Sequence, residues 1–208
     1  RDSTTSDNNT ALGSSALLVN TTGAMNTAVG ANALDANTTG DQNVAVGKDA
    51  LGSNTTGGNN TALGASALAT NTTADNNTAV GYGALTNNST GTSNTAVGRL
   101  ALEDCTTGNN NVAIGRFAMG QVTTGSSNVA VGDYALDANT TGQLNVAIGY
   151  NALTAQNADA YNTAVGANCL EATTTGAYNV AVGRLALTAN TTGGQNVAIG
   201  YNAYASDT

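Results

Sequence analysis

The side chains best suited to binding a ligand follow a short phrase, Asn-Thr/Val-Ala-Val-Gly, that recurs along the chain. Arginine, aromatic and leucine side chains occupy the two places after its glycine, at Tyr82, Arg99, Leu100, Arg116, Phe117, Tyr134 and Tyr150. If copies of the phrase stack, these side chains form one stripe, with guanidinium groups within cation–π reach of the rings. We expect this stripe to contact a glycan or protein receptor, to line a groove between subunits, or to form a solvated edge.

Other members of the same pattern are more scattered. Arg184 also follows a glycine of the phrase, and Tyr161 and Tyr178 each stand immediately before its asparagine in successive copies. The two tyrosines predict a second, shorter stack, open to the same interpretations.

Residues for catalysis or metal binding are scarce. The chain has no histidine, and acids such as Asp35, Asp137 and Glu171 share one place in the repeat but are spread along it. The Gly-Gly-x-Gly-x-Asp pattern of calcium-binding rolls does not occur. We therefore predict a protein that is not an enzyme and has no metal or cofactor site.

Two cysteines, Cys105 and Cys169, interrupt the repeat at different places. They are almost four repeats apart, roughly 18 Å if repeats stack at about 4.8 Å. That separation exceeds the reach of a disulfide. We predict two unpaired thiols.

The whole chain is one repeat array. The glycine of the phrase recurs every seventeen residues, without insertion or deletion, from Gly13 to Gly200. We predict a single domain over 1–208, with a partial repeat at 1–8 and repeats beginning at residues 9, 26, 43, 60, 77, 94, 111, 128, 145, 162, 179 and 196. A fixed period is the mark of stacked architectures. Because both ends fall inside a repeat, we also expect a longer parent chain or end-to-end stacking.

Numbering the asparagine as position 1, positions 1–5 alternate in character as a strand does. We expect a positive φ at the glycine of position 5, a second short strand at the Ala-Leu of positions 8 and 9, and a corner at Asn-Thr-Thr-Gly. The prediction is an all-β parallel β-solenoid of about twelve coils with stacked asparagine ladders. The expected structural ladder comprises Asn111, Ala113, Ile114, Gly115, Ala118, Met119, Thr124 and Gly125 in one coil and its equivalents in the others.

The predicted core is thin. One Val at position 4 and one Leu at position 9, with part of position 2 and two alanines, contribute about 4 to 6 kcal/mol per coil, against about 1 to 2 kcal/mol per residue of backbone entropy. We therefore expect more surface to be buried against further copies of the chain.

The charge balance bears on partners. Thirteen acids and five bases give a formal charge of -8, which disfavours nucleic acid. No apolar stretch is long enough to cross a membrane, and we expect no membrane insertion in this segment.

The Asn-Val-Ala-Ile-Gly of 111–115, 145–149 and 196–200 resembles the head repeats of trimeric autotransporter adhesins. The longer phrase through Asn-Thr-Thr-Gly is similar to repeats of phage tail fibres and bacterial surface proteins. The resemblance implies a left-handed homotrimeric β-roll with Val and Ile inside each roll, located outside the cell, on its surface or on a virion. It implies an adhesin or fibre that serves attachment or receptor binding.

Two other functions stay open. The rod could be a purely structural filament shaft, with recognition elsewhere in the parent protein. It could also bind ice through regularly spaced threonines, although neighbours on a strand face opposite sides. Paired outward hydroxyls are therefore not expected from Thr-Thr.

Overall fold

The computed structural model describes residues 8–155 and 161–205. The partial repeat predicted at 1–8 lies outside these residues except for Asn8. The described chain is an all-β parallel solenoid in which each repeat contributes one three-residue strand. The strands are β1 (Thr10–Leu12), β2 (Thr27–Val29), β3 (Val44–Val46), β4 (Thr61–Leu63), β5 (Thr78–Val80), β6 (Thr95–Val97), β7 (Val112–Ile114), β8 (Val129–Val131), β9 (Val146–Ile148), β10 (Thr163–Val165), β11 (Val180–Val182) and β12 (Val197–Ile199).

The strands form one sheet in chain order, each paired in parallel with the next. Every pair is in register with its repeat, so that Ala28 faces Ala45 and Val29 faces Val46. The predicted stacking of identical positions is confirmed. It follows from the constant period, because an insertion in any repeat would shift every later rung.

The prediction of a second strand at positions 8 and 9 was wrong. In the coil of residues 26–42, Asn32 and Leu34 have φ angles of 57° and 52°, in the left-handed region. Position 9 repeats this conformation throughout the described coils. The backbone therefore turns at these positions, with Ala33 N–H donating to Gly30 O and Asn37 N–H to Leu34 O. A strand needs extended residues, and the alternating hand of φ prevents one here.

The core of each coil consists of the alanines at positions 3 and 8 and the leucine at position 9. In the coil of residues 111–127, Ala113, Ala118 and Met119 are fully buried. Ile114 at position 4 instead points out and is 40% exposed. The expectation that Val and Ile fill the core was therefore wrong. Since alternate strand residues face opposite sides, Ala at position 3 faces in and its larger neighbours face out.

Buried asparagines occupy the rest of the interior. Asn26 at position 1 accepts a hydrogen bond from Asn43 N–H through Oδ1 (2.9 Å) and donates Nδ2 to Gly40 O (2.8 Å). Asn37 at position 12 donates Nδ2 to the same Gly40 O (3.0 Å) and to Asn20 Oδ1 in the preceding coil (2.9 Å). The predicted asparagine ladder at position 1 is confirmed, and a second one runs down position 12. Both satisfy buried amides that would otherwise be costly.

The position 12 ladder is interrupted at two successive coils and again nearer the carboxyl end. Cys105 and Val122 replace asparagine in the two successive coils, and Gln156 and Thr173 replace it later in the chain. Buried Asn88, before the gap, has no donor for its Oδ1, and buried Asn139, after the gap, has no acceptor for its Nδ2. The interruption therefore leaves one unsatisfied amide atom on each side.

The glycine of position 5 has a positive φ in all twelve copies, as predicted. Gly115 has φ 133°, and a Cβ added to it would lie 2.5 Å from the carbonyl carbon of Gly132 in the next coil. Both the backbone conformation and the close approach of the coils thus require glycine.

Replacing Gly115 with alanine should lower the free energy of unfolding by more than about 2 kcal/mol, since it combines a strained φ with a backbone clash. Gly52→Ala is the matched control. Its added Cβ would meet no atom closer than 3.4 Å, and we expect a change within about 0.5 kcal/mol. Urea unfolding followed by circular dichroism measures both, and equal effects would contradict the role assigned to position 5.

Restoring asparagine at the two successive interrupted positions, in Cys105→Asn/Val122→Asn, should make the ladder continuous from Asn88 to Asn139. We expect the free energy of unfolding to rise by about 1 to 2 kcal/mol, because Asn88 Oδ1 and Asn139 Nδ2 both acquire hydrogen-bond partners. Cys105→Asn alone moves the unsatisfied acceptor one coil along and should gain less. A double variant no more stable than this single one in urea unfolding would contradict the ladder.

Candidate functional site

The outward face of the sheet is uncharged over its whole length and largely apolar, with threonine at half of its position 2 sites. Its side chains come from positions 2 and 4, which hold only Thr, Val, Leu and Ile. Several are well exposed, among them Val44 (38%), Leu63 (47%) and Ile148 (39%). No charged residue interrupts this surface, which we call the sheet face. Contiguous exposed apolar surface of this kind is typical of interaction sites.

Two rows of residues flank the sheet face. Position 17 precedes the buried asparagine, and position 6 follows the corner glycine. Near the carboxyl end, position 17 carries Leu144, Tyr161 and Tyr178, all exposed. Tyr161 and Tyr178 stack with ring centroids 4.9 Å apart and an interplanar angle of 4°. The second aromatic stack predicted from the sequence therefore forms, at one edge of the sheet face.

At the other edge, the structure brings the predicted arginine and aromatic side chains together. Arg99 lies over the Tyr82 ring (6.0 Å) and over the Phe117 ring (5.4 Å). Phe117 in turn stacks on Tyr134, with centroids 5.4 Å apart. Together with Arg116 these residues form what we call the corner ladder. Its cation–π contacts were predicted from the sequence.

Arg116 is held in place by a carboxylate of the next coil. Asp133 Oδ1 accepts the Arg116 backbone N–H at 2.9 Å, and its Oδ2 lies 3.5 Å from Arg116 Nε. The guanidinium then lies 4.9 Å from the centroid of the Tyr134 ring. Asp133 thus orients Arg116 while offsetting part of its charge.

The other predicted residues are distributed differently. Leu100 lies against Gly83, where its Cδ2 fills the space that a Cβ would take. Tyr150 is exposed and has no ring partner among the described residues. Arg184 lies outside the corner ladder, 5.8 Å from the Tyr201 ring centroid. Tyr201 was not among the residues predicted from the sequence, although its place after Gly200, one coil beyond Arg184, was a usable signal.

The ladder leaves little ring surface for a ligand. Phe117 is contacted by Arg99 from the preceding coil and by Tyr134 from the following one. Its two faces are therefore covered, and a sugar ring cannot stack on it. The groups that the ladder presents to solvent include the exposed side chains of Arg99 and Arg116 and Tyr82, which is 57% exposed.

The Asn-Thr-Thr corner is structural on one side and open on the other. Thr38 at position 13 donates its hydroxyl to Thr55 O in the next coil (3.0 Å), whereas Thr39 at position 14 is exposed. In this coil only Thr39 is well exposed, whereas Thr21 and Thr22, Thr174 and Thr175, and Thr191 and Thr192 are exposed together. Asn37 begins an Asn-Thr-Thr sequence of the N-glycosylation type, but its side chain is fully buried in the position 12 ladder.

Burial raises the pKa of two carboxyl groups in the coils of the corner ladder. Desolvation raises the pKa of Asp137, against hydrogen bonds from Gln121 and from the Gly120 backbone. Desolvation likewise raises the pKa of Glu103, which nearby Asp104 raises further and Arg99 lowers. Across residues 8–155 and 161–205, no three His, Cys, Asp or Glu side chains are grouped to hold a metal ion.

Both cysteines are free and buried, so the prediction of unpaired thiols is confirmed. Cys105 Sγ lies 3.6 Å from Gly108 O and Cys169 Sγ lies 3.2 Å from Ala181 O. Desolvation raises the pKa of each thiol to about 11.

Compared with models of known families, with curated proteins and with solved structures, the chain matches none of them. The seventeen-residue solenoid is thus established by the structure, and the resemblance to adhesin heads and tail fibres stays a prediction. Within the described residues, no helix is long and apolar enough to span a membrane.

The raised thiol pKa values predict a loss of stability in alkali. Below the ordinary thiol pKa of about 8.5, both states hold their protons. Between that pH and about 11 only the unfolded state releases them, so the free energy of unfolding should fall as pH rises. Cys105→Ala/Cys169→Ala should flatten this decline in urea titrations from pH 8 to 11. An unchanged slope would show that the thiols do not contribute.

Proposed function

We propose that this chain is the rod segment of a non-enzymatic extracellular fibre, of the adhesin or tail-fibre type, assembled from several copies. The observation that carries the proposal is the sheet face, an apolar surface that runs the length of the rod and that one chain leaves open. A soluble monomer rarely exposes so long an apolar surface.

The size of the sheet face fits a protein interface. Twelve stacked strands extend over roughly 50 Å at about 4.8 Å per coil. A three-residue strand is about 10 Å long, so with its flanking rows the face is roughly 15 Å wide and on the order of 750 Å². A standard interface buries about 800 Å² on each partner. A second copy of the chain offers a complementary face of the same period, so that one coil meets one coil.

The flanking rows fit the rim of such an interface. Interfaces are enriched in tyrosine, tryptophan and arginine, and charged residues are sparse in their centre. The sheet face has uncharged Thr, Val, Leu and Ile in the centre, with tyrosines and arginines along its edges. The resemblance to adhesin heads favours three chains, and it also supplies the proposed location on a cell surface or a virion.

The axial ladders support a role as a spacer. Backbone groups, buried asparagines and the position 13 threonines all bond from coil to coil, so the interactions that hold the fold are directed along the rod. A purely structural filament shaft uses the same feature. In that case isolated chains would form polymers of indefinite length and not a closed oligomer.

The assembly is tested by Ile114→Glu, which places a charge in the middle of the sheet face. We expect the wild-type chain, of 20.3 kDa, to sediment as a trimer, and the variant to dissociate while keeping its circular dichroism spectrum. Burying an unpaired carboxylate in an apolar interface costs several kcal/mol.

The matched control is Thr124→Glu in the same coil, which adds the same charge at an exposed corner and should leave the trimer intact. Dissociation by both variants would point to general charge repulsion. A wild-type chain that stays monomeric at its highest soluble concentration would overturn the assembly, and open-ended polymers would favour the shaft.

A further inference from the structure

From the geometry of the corner ladder we infer that it is a binding site for the carboxylate groups of an acidic glycan. This goes beyond the proposed rod, because it assigns a ligand class to one section of the rod's edge. It requires that the corner ladder, at the rim of the proposed interface, stays open to solvent in the assembly.

Arg99 is held between two aromatic rings and has no hydrogen-bond acceptor in the described part of the chain. Its guanidinium lies between the rings of Tyr82 and Phe117, so both of its faces are covered. The N–H donors of a guanidinium lie in its plane and project from its edge. Among the described residues, no carboxylate forms an ion pair with Arg99 and no acceptor receives its side-chain donors; Glu103 acts on it only at longer range. The Arg99 guanidinium is therefore held in one orientation, and its side-chain N–H donors are available to a ligand.

Arg116 places a second positive charge beside Arg99. It occupies the same repeat position one coil further on, so the two backbones are about 4.8 Å apart. Like charges at adjacent rungs are unfavourable, and only Arg116 has a carboxylate partner, Asp133. An external anion at this corner would relieve the repulsion and would meet two guanidinium groups at once. Planar carboxylates match the arginine fork with two parallel hydrogen bonds.

The pairing of the strands bears on the kind of molecule that carries the carboxylate. An acidic peptide would gain most by adding a strand to an open edge. At coils 5 to 8 the strands are already paired on both sides along the rod, which leaves a peptide backbone no such partner. A glycan needs only side-chain donors and acceptors, and the Tyr82 and Tyr134 hydroxyls flank the two arginines. Since both faces of the central Phe117 ring are covered, charge and hydroxyl contacts replace sugar stacking between the two arginines.

The test uses an oligogalacturonate as the uronate probe, a neutral glucose oligomer of equal length, and polyglutamate, each titrated calorimetrically at low salt. We expect binding of the uronate that weakens as salt is added. Arg99→Gln should weaken it about tenfold, since hydrogen bonds to a charged group are worth about that factor or more. Arg99→Lys should not restore it, because lysine lacks the fork.

Arg184→Gln is the matched control. It removes one charge at the same repeat position, but Arg184 has no arginine in an adjacent coil, and we expect less than a twofold effect. Equal losses of uronate affinity in both variants would show that the effect comes from net charge, and they would overturn the proposed site. The absence of uronate binding would overturn it as well. Polyglutamate binding as tightly as the uronate, or neutral oligomer binding, would overturn the glycan assignment.

Sedimentation of Arg99→Gln separates this inference from the proposed assembly. Weakened uronate binding with an unchanged oligomer supports the site. Dissociation of the oligomer by Arg99→Gln would place the ladder inside the subunit interface and overturn the inference, while leaving the multi-chain rod standing.

Discussion

Each coil of this protein depends on the coils stacked above and below it to satisfy many of its polar groups. The strand N–H groups, the position 1 asparagine Oδ1 atoms and the position 13 hydroxyls find partners one repeat away, while asparagine Nδ2 groups also bond within their own coil. This dependence fixes the period at seventeen residues, because a single insertion would misplace every axial bond beyond it. It also explains why the largest departures from the repeat, such as Cys105, leave a neighbouring amide unsatisfied.

Close stacking decides what the interior can hold. The corner glycines approach one another so closely that a Cβ at Gly115 would overlap Gly132. Within such narrow coils, two alanines, one leucine and two asparagines fill the space, and the valines are directed outward. The fold thereby creates an apolar outer surface as a consequence of its own interior. A small interior gives little hydrophobic stabilisation per coil, so association through the sheet face would add what the single chain lacks.

The two edges of the sheet face carry the features in which coils differ. A residue that recurs in every coil maintains the fold of the coil, whereas the residues at positions 6, 7 and 17 vary from coil to coil. The corner ladder is confined to the coils around Arg99 and Arg116, and the tyrosine stack to the coils of Tyr161 and Tyr178. Specificity on an otherwise uniform rod can come only from such local departures, which makes these edges the places to look for it.

The sequence by itself determined the solenoid, its register, the glycine corners and the arginine–aromatic contacts, since all of these follow from the period and from residue type at each position. It could not determine which side of the strand faces inward. Alternation places Ala113 and Ile114 on opposite sides, and the usual preference for burying the larger side chain gave the wrong choice. Only the tertiary structure decided this, because the width of the coil depends on left-handed turns at positions 7 and 9 and on the second asparagine ladder. Those turns have no local sequence signal when the residue is Leu, Phe or Tyr.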